Sequence, residues 1–454
     1  MSSPWRIPAQ VLAALLSLAA YLALAYATPR AHTGQLLGLF AIASASYVVL
    51  VRSVLPLRAG LGLALLFRLL WLPATPALSD DFYRFRWDGL LATHGINPFQ
   101  YRPAALVSSA ASEIQLAQPL RQQLAALYPR LNSPNYFSVY PPVCQAVFAG
   151  AASLFADTET GFIVVLRLVL LAAECGTAWL LLALLPAWGW PRERALLYLL
   201  HPLPIAELTG NLHFEAAVIG LVLLACWLLA RQRWAASAVA LGLAVATKLL
   251  PLLLLPLLAR RLGWPRFLAY CGLVGGTTAL LFAPFLSADL LANVSRSLNL
   301  YFQSFEFNAS LYYVLRALGY HYQGYNEIAI IGPALAVAAA LGVLLLAGLE
   351  KRPALPQLPA VALAALTLYY LCATTVHPWY LTPLLALSVL SRWRYPLVWG
   401  TLAVLSYAAY SGAAAVENSW LLALEYLPTL AILAIELEQK RRPDSAVPGD
   451  TAQP

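Results

Sequence analysis

The chain is dominated by long apolar runs separated by short polar segments. A membrane-spanning helix needs about 20 mostly apolar residues, and runs of about this length recur throughout the sequence. They lie at 7–27, 35–51, 59–72, 161–185, 195–208, 214–230, 267–286, 328–349, 358–376, 396–410 and 420–435, with a shorter run at 380–390. The pattern predicts an all-α, polytopic membrane protein with about 12–13 transmembrane helices.

The composition supports this prediction. Of the 454 residues, 61% are hydrophobic and 11% are charged, whereas a soluble domain carries roughly 25% charged residues. Because so few charges cannot cover a water-facing surface of this size, lipid must cover much of the protein, which excludes a soluble globular fold. The cysteines fall in apolar segments and form no CxxC pair, which indicates buried structural thiols: Cys144, Cys175, Cys226, Cys271 and Cys372.

Basic residues orient the predicted spans, because short cytoplasmic loops of membrane proteins are enriched in Lys and Arg. With the basic clusters inside, both termini are cytoplasmic, and the polar stretches 78–140 and 287–327 face the other side. We expect one transmembrane domain over 1–436 in the inner, plasma membrane, followed by a disordered cytoplasmic tail at 437–454.

Two segments fit this topology in more than one way. The segment 141–156 would leave and return on the same side, so it is either re-entrant or interfacial. The segment 234–259 has basic residues at both ends, with Lys248 and Pro251 in its middle. It suits a hairpin of two short helices, and a single long tilted helix is the alternative.

The stretch 78–140 carries the most informative polar residues. It begins with Asp80 and Asp81, directly after an apolar run. Acidic residues at the end of a membrane helix are costly if they enter lipid, so they tend to be functional. The alternative is that they cap a short helix over 82–91. The aromatic residues that follow them are also typical of an interfacial belt.

Several motifs in this stretch and beyond it resemble the GT-C superfamily of integral membrane glycosyltransferases. Asp-Asp at 80–81 is followed by Tyr-Arg-x-x-Trp-Asp-Gly, Gly-x-Asn-Pro-Phe and Tyr-Pro-Pro. The closest similarity is to bacterial polyprenyl-phosphate-mannose-dependent mannosyltransferases. It continues through His-Pro at 201–202, Thr-Lys-Leu-Leu-Pro at 247–251 and His-Pro-Trp-Tyr at 377–380. Many relatives have Asp where this chain has Glu215.

The resemblance implies a reaction and a catalytic base. A hexose, with mannose preferred, would pass from a polyprenyl-phosphate donor to a lipid- or glycan-linked acceptor on the non-cytoplasmic face. An acidic residue of the first outer loop would be the general base, since a carboxylate within about 2.6–3.2 Å of the attacking hydroxyl can take its proton. We favour Asp81, although the sequence does not separate it from Asp80.

The leaving group of such a reaction is a lipid phosphate, which needs cationic or hydrogen-bonding partners. The candidate substrate-binding residues are Arg84, Arg86, His213, Glu215, Lys248 and His377. Placing a lysine charge within an apolar run costs free energy unless an anion pairs with it. The alternative for Lys248 is that its side chain snorkels, so that the ammonium reaches the membrane interface. For both histidines the alternative is a hydrogen-bonded structural role.

We predict no cofactor. A divalent metal would be compatible with the acidic residues, but the histidines show no zinc-binding spacing. The sequence has no GxGxxG fingerprint for a nucleotide sugar and no basic patch for nucleic acid. The expected partners are a polyprenyl-phosphate sugar, a lipid or glycan acceptor and membrane lipids. The alternative function is a transporter or flippase for a lipid or saccharide, which would need polar residues through the depth of several helices.

Overall fold

The structure is a computed structural model that describes residues 6–53, 55–108, 116–351, 353–412 and 415–441. Within these residues all regular secondary structure is helical, and the one β-type pairing is an isolated bridge between Phe307 and Thr375. The predicted all-α fold is confirmed. Of the tail predicted at 437–454, the last helix includes residues up to Arg441, and 442–454 lie outside the described residues.

The first part of the chain combines long apolar helices with the short helices of residues 78–140, here named the first outer stretch after its predicted side. Among its described residues it contains α1 (Arg6–Tyr26), α2 (Thr33–Arg52), α3 (Leu57–Leu69), α4 (Asp81–Thr93), α5 (Pro103–Val107), α6 (Gln118–Leu127), α7 (Pro142–Leu154) and α8 (Glu159–Ala187). The segment predicted to be re-entrant or interfacial forms α7, which packs against α4 and α8.

The middle of the chain is broken by prolines, which lack the backbone donor that a helix needs and clash with the preceding turn. Its helices are α9 (Leu196–Leu199), α10 (Pro202–Pro204), α11 (Glu215–Ala230), α12 (Trp234–Val245), α13 (Ala259–Leu262) and α14 (Trp264–Phe282), with a π-helical turn at Ile205–Gly210 and a 3-10 helix at Leu250–Leu258. The run 234–259 is therefore two helical segments separated at Lys248, as the hairpin interpretation requires.

The last part holds α15 (Leu290–Gln303), α16 (Leu311–Gln323), α17 (Ile328–Leu349), α18 (Leu358–Cys372), α19 (Thr382–Val389), α20 (Tyr395–Leu402) and α21 (Ser419–Arg441). Further 3-10 turns lie at Pro378–Leu381 and Ala403–Tyr410. The first two helices of this group form the second outer stretch, and α21 packs against α20.

Fewer helices can cross a membrane than the 12–13 predicted. Within the described residues, seven are long and apolar enough, or eight if the helical pair Pro202–Gly210 and Glu215–Ala230, bent by 112°, counts as one broken span. Several other apolar runs form short or interrupted helices, such as α3, α12 and α19. The count differs because apolar length alone does not show where a run is broken.

One buried ion pair joins the spans. Arg68 of α3 lies 2.6 Å from Glu174 of α8, and both side chains are almost fully buried. The Tyr198 hydroxyl donates to the same carboxylate at 2.7 Å. The pair satisfies both charges, because a charge within an apolar bundle requires a partner.

Candidate active site

The two acidic residues at the start of α4 have different partners. Asp80 occupies the N-cap position, but its side chain makes no capping hydrogen bond and instead pairs with Arg30 at 2.9 Å. The carboxylate of Asp81 accepts a hydrogen bond from the Asn132 amide at 2.8 Å. One carboxylate is therefore neutralised by a cation, whereas the other is held by a neutral donor.

Arg30 also connects this acidic pair to the C-terminal part of the chain. Its guanidinium lies 4.7 Å from the centre of the Tyr410 ring. Tyr410 packs against Phe307 of the second outer stretch, with ring centres 5.6 Å apart. The start of α4 therefore borders residues that are more than 200 positions away in the sequence.

Four aromatic rings form a continuous stack beside this contact. His213 stacks on Trp379 with ring centres 3.9 Å apart, and His377 stacks on Trp379 at 4.3 Å. Phe307 extends the stack beyond His377 at 4.9 Å. The two predicted histidines are thus brought together on opposite faces of one indole, and Trp379 has no free face to stack on a sugar.

Beneath this stack lies a buried carboxylate. Glu207 is fully buried, and the Tyr407 hydroxyl donates to it at 2.7 Å. The Nε2 atom of His213 lies 3.4 Å from the same carboxylate and makes no hydrogen bond. The imidazole and the carboxylate face each other closely enough to respond to each other's charge.

A strained helix break presents His213 and the start of α11. The preceding Leu212 is fully buried with a φ of 65°, which is unusual for a branched residue. The buried Arg167 guanidinium donates to the carbonyls of Thr209, Gly210 and Leu72 at 2.7–2.8 Å. Two of these carbonyls, of Thr209 and Gly210, lie at the end of the π-helical turn, where a helix leaves carbonyls without partners, and the Leu72 carbonyl lies in the turn after α3. Such strain is typical of functional segments.

Lys248 and Glu215 meet where the break before α11 lies against the break after α12. Glu215 begins α11, Lys248 follows the end of α12, and the two side chains form an ion pair. The ammonium also lies 4.1 Å from the centre of the Tyr380 ring. Tyr380 contacts His377 edge-on at 5.3 Å, which links this ion pair to the aromatic stack.

An apolar groove adjoins the ion pair. It is a partly open groove between α11, the 3-10 helix that follows Lys248, α18 and α19, and every residue that lines it is apolar. Val218 in its wall lies one turn along α11 from Glu215, and Leu250 and Pro251 come directly after Lys248 and its neighbour. A lining without hydrogen-bonding groups suits hydrocarbon.

Arg84 and Arg86 do not join this constellation. Arg84 pairs with the buried Asp88 at 2.8 Å and donates to the Tyr136 carbonyl at 2.9 Å. Arg86 lies 3.5 Å from Glu159, at the start of α8. Both arginines hold the first outer stretch in place, and the i,i+4 spacing of Arg84 and Asp88 was a sequence signal for this pairing.

The second outer stretch is fixed by Asn308. Its backbone N–H donates to Glu417 at 2.6 Å, its side-chain amide donates to Glu425 at 3.1 Å, and its carbonyl accepts from Tyr426 at 2.6 Å. The positive φ of 48° at Asn308 is one that asparagine tolerates better than most residues. These contacts hold the neighbouring Phe307 against His377.

The electrostatics of the site favour a neutral His377. Burial, helped by nearby His213 and Lys248, lowers the pKa of this imidazole to about 3. This imidazole is therefore neutral at neutral pH. Among the described residues, no group of three or more His, Cys, Asp or Glu side chains is arranged to hold a metal ion.

The comparisons with known proteins identify a family. No curated protein matches the chain. A family profile for the N-terminal domain of alpha-(1->6)-mannopyranosyltransferases matches residues 8–262, which is more than half of the sequence. The matched segment includes the acidic pair of α4, the strained break and Lys248. The chain therefore belongs to the alpha-(1->6)-mannopyranosyltransferase family, and it is a membrane mannosyltransferase of the GT-C type.

Proposed function

We propose that this mannosyltransferase takes its sugar from a polyprenyl-phosphate donor. The observation that carries the proposal is the position of Lys248 beside an entirely apolar groove. A polyprenyl phosphate combines a long hydrocarbon chain with an anionic head, and these are the two features that the groove and the ammonium would bind. The absence of a nucleotide-sugar fingerprint in the sequence points the same way.

We propose Asp81 as the general base. In this mechanism its carboxylate takes the proton of the acceptor hydroxyl as the oxygen attacks the anomeric carbon. One carbon–oxygen bond forms to the acceptor, the bond to the donor phosphate breaks, and the lipid phosphate leaves with the electron pair. The pairing of Asp80 with Arg30 supports Asp81, because a carboxylate that is neutralised by a cation is a weaker base.

We propose further that the reaction takes place on the non-cytoplasmic face with a lipid- or glycan-linked acceptor. The distribution of basic residues supports this side, since it places the first outer stretch opposite the basic loops. Membership of a mannosyltransferase family favours this enzymatic function over a transporter or flippase.

The donor can be tested with the purified protein reconstituted in lipid and a mannose-containing acceptor. Either polyprenyl-phosphate mannose or a nucleotide mannose is then added as the donor. We expect labelled mannose to be transferred from the lipid donor only. The Asp81→Asn variant serves as the matched control for transfer that does not depend on this site. Transfer from the nucleotide donor alone would show that the proposal is wrong.

A further inference from the structure

Two walls of the apolar groove begin near the ion pair between Lys248 and Glu215: Val218 lies one helical turn after Glu215, and Leu250 lies two residues after Lys248. The Glu215 side chain is 5% exposed, whereas that of Lys248 is 34% exposed. An incoming molecule can therefore reach the ammonium while the carboxylate stays behind it. The ring of Tyr380 covers another side of the ammonium.

An ammonium that is partly withdrawn from water is more stable when an anion compensates its charge. Glu215 supplies that anion here, and the groove beside the pair offers only apolar side chains. An amphiphile that lay in the groove would bring its head to Lys248. To bind there, the head would have to replace Glu215, which a neutral head cannot do.

We propose that Glu215 is the resident anion of a prenyl-phosphate site. The Glu215 carboxylate neutralises Lys248 while the groove is empty. When a prenyl lipid binds, its phosphate replaces Glu215 as the ion-pair partner of Lys248. This inference rests on the proposed lipid-phosphate donor and adds a role for Glu215 as a competitor. Glu215 therefore lowers the affinity for every lipid phosphate, whereas a prenyl alcohol carries no charge and does not compete with Glu215 for Lys248.

The test measures binding of geranylgeranyl phosphate and geranylgeraniol to the full chain in neutral detergent. Glu215→Gln is expected to tighten phosphate binding by about threefold to tenfold, because the competing charge is lost. Lys248→Met is expected to weaken it by more than about tenfold, the loss typical of a charged hydrogen bond. Binding of the alcohol should stay unchanged in both variants, which also shows that both remain folded.

Glu215→Asp is the matched control, since it keeps the charge on a shorter side chain and should give an intermediate affinity. Unchanged or weaker phosphate binding in Glu215→Gln, with Lys248→Met still impaired, would overturn the competitor role and leave the lipid-phosphate donor standing. Equal binding of phosphate and alcohol by the unaltered chain would instead contradict the proposed donor.

The same phosphate chemistry is present in ordinary phospholipids. Vesicles containing phosphatidylglycerol are therefore added as a competitor of geranylgeranyl phosphate. We expect little competition, because two acyl chains need a wider groove than one isoprenoid chain. Competition as strong as that of unlabelled geranylgeranyl phosphate would assign the site to membrane phospholipid and overturn the prenyl assignment.

Discussion

The Asp81 carboxylate accepts a hydrogen bond from Asn132 at 2.8 Å, and no cation is paired with it among the described residues. Asp80, one residue earlier, is paired with Arg30. Two adjacent residues of the same type therefore have different electrostatic environments. The difference comes from the loop after α1, which carries Arg30, and from the loop before α7, which carries Asn132.

We predict that Asp81→Asn lowers mannose transfer by about 10²–10⁴-fold, because it removes the base and preserves the size of the side chain. Asp80→Asn should lower it much less. Single-turnover transfer with bound donor is the measurement, and donor affinity should be similar in both variants. A larger loss in Asp80→Asn would exchange the two roles, and near-normal transfer in both would exclude either residue as the base.

A second prediction concerns the buried pair of Arg84 and Asp88. Asp88→Asn leaves the guanidinium buried without its counter-ion, which should destabilise the fold by about 3–5 kcal/mol. Adding Arg84→Met should restore part of that loss, because the uncompensated charge is then removed. Thermal unfolding in detergent measures both effects. If Arg84→Met alone weakened donor binding without loss of stability, Arg84 would contact the substrate after all.

Arg167 should position the strained break without touching the substrate. Arg167→Met leaves two buried carbonyls and one partly buried carbonyl without this donor, and each unsatisfied buried group costs about 1–3 kcal/mol. We expect lower thermal stability and a lower kcat in this variant. Arg167→Lys should recover only part of both, since an ammonium cannot match the planar fork of donors. Normal kcat in a destabilised Arg167→Met would restrict Arg167 to folding.

The lowered pKa of His377 predicts how the activity depends on pH. With a pKa of about 3, this imidazole stays neutral at every pH well above that value. The pH–rate profile between about pH 5 and pH 8 should therefore contain no titration of His377. His377→Gln, which stays neutral, should keep the shape of the profile. A change of rate near the ordinary histidine pKa that is seen in the unaltered protein and is lost in His377→Gln would contradict the prediction.

Sidedness can be tested with single cysteines. Gln122 is exposed on α6 of the first outer stretch, and Arg266 is exposed in the basic loop at the start of α14. Gln122→Cys should react with an impermeant thiol reagent on intact cells, and Arg266→Cys only after lysis. The unaltered chain is the control for its own cysteines. Labelling of position 122 only after lysis would contradict the outward-facing site.

Motifs led to the polar residues of the site, but the partners of these residues could not be predicted. Asp80, Asp81, Lys248 and His377 could be found because each is a polar residue at or within apolar sequence, where it is costly. The role of Arg30 could not be predicted, because nothing in the sequence around this isolated arginine indicates that folding brings it to Asp80.

The breaks in the helices were equally hard to predict. A run such as 195–208 is apolar enough for a span, yet His201, Pro202 and Pro204 interrupt it. Its final shape also depends on Arg167, which comes from a different helix and satisfies the carbonyls at the break. Local hydrophobicity cannot reveal such a contact.

The aromatic stack is assembled from distant parts of the chain, and this affects how the protein matures. A nascent chain that has inserted only residues 8–262 already carries the acidic pair and Lys248. It still lacks Phe307, the ring of Trp379 and the C-terminal helix that anchors Asn308. The stack and the contacts that hold Asn308 are therefore complete only after synthesis has passed residue 425, and we expect a chain arrested at residue 262 to lack both.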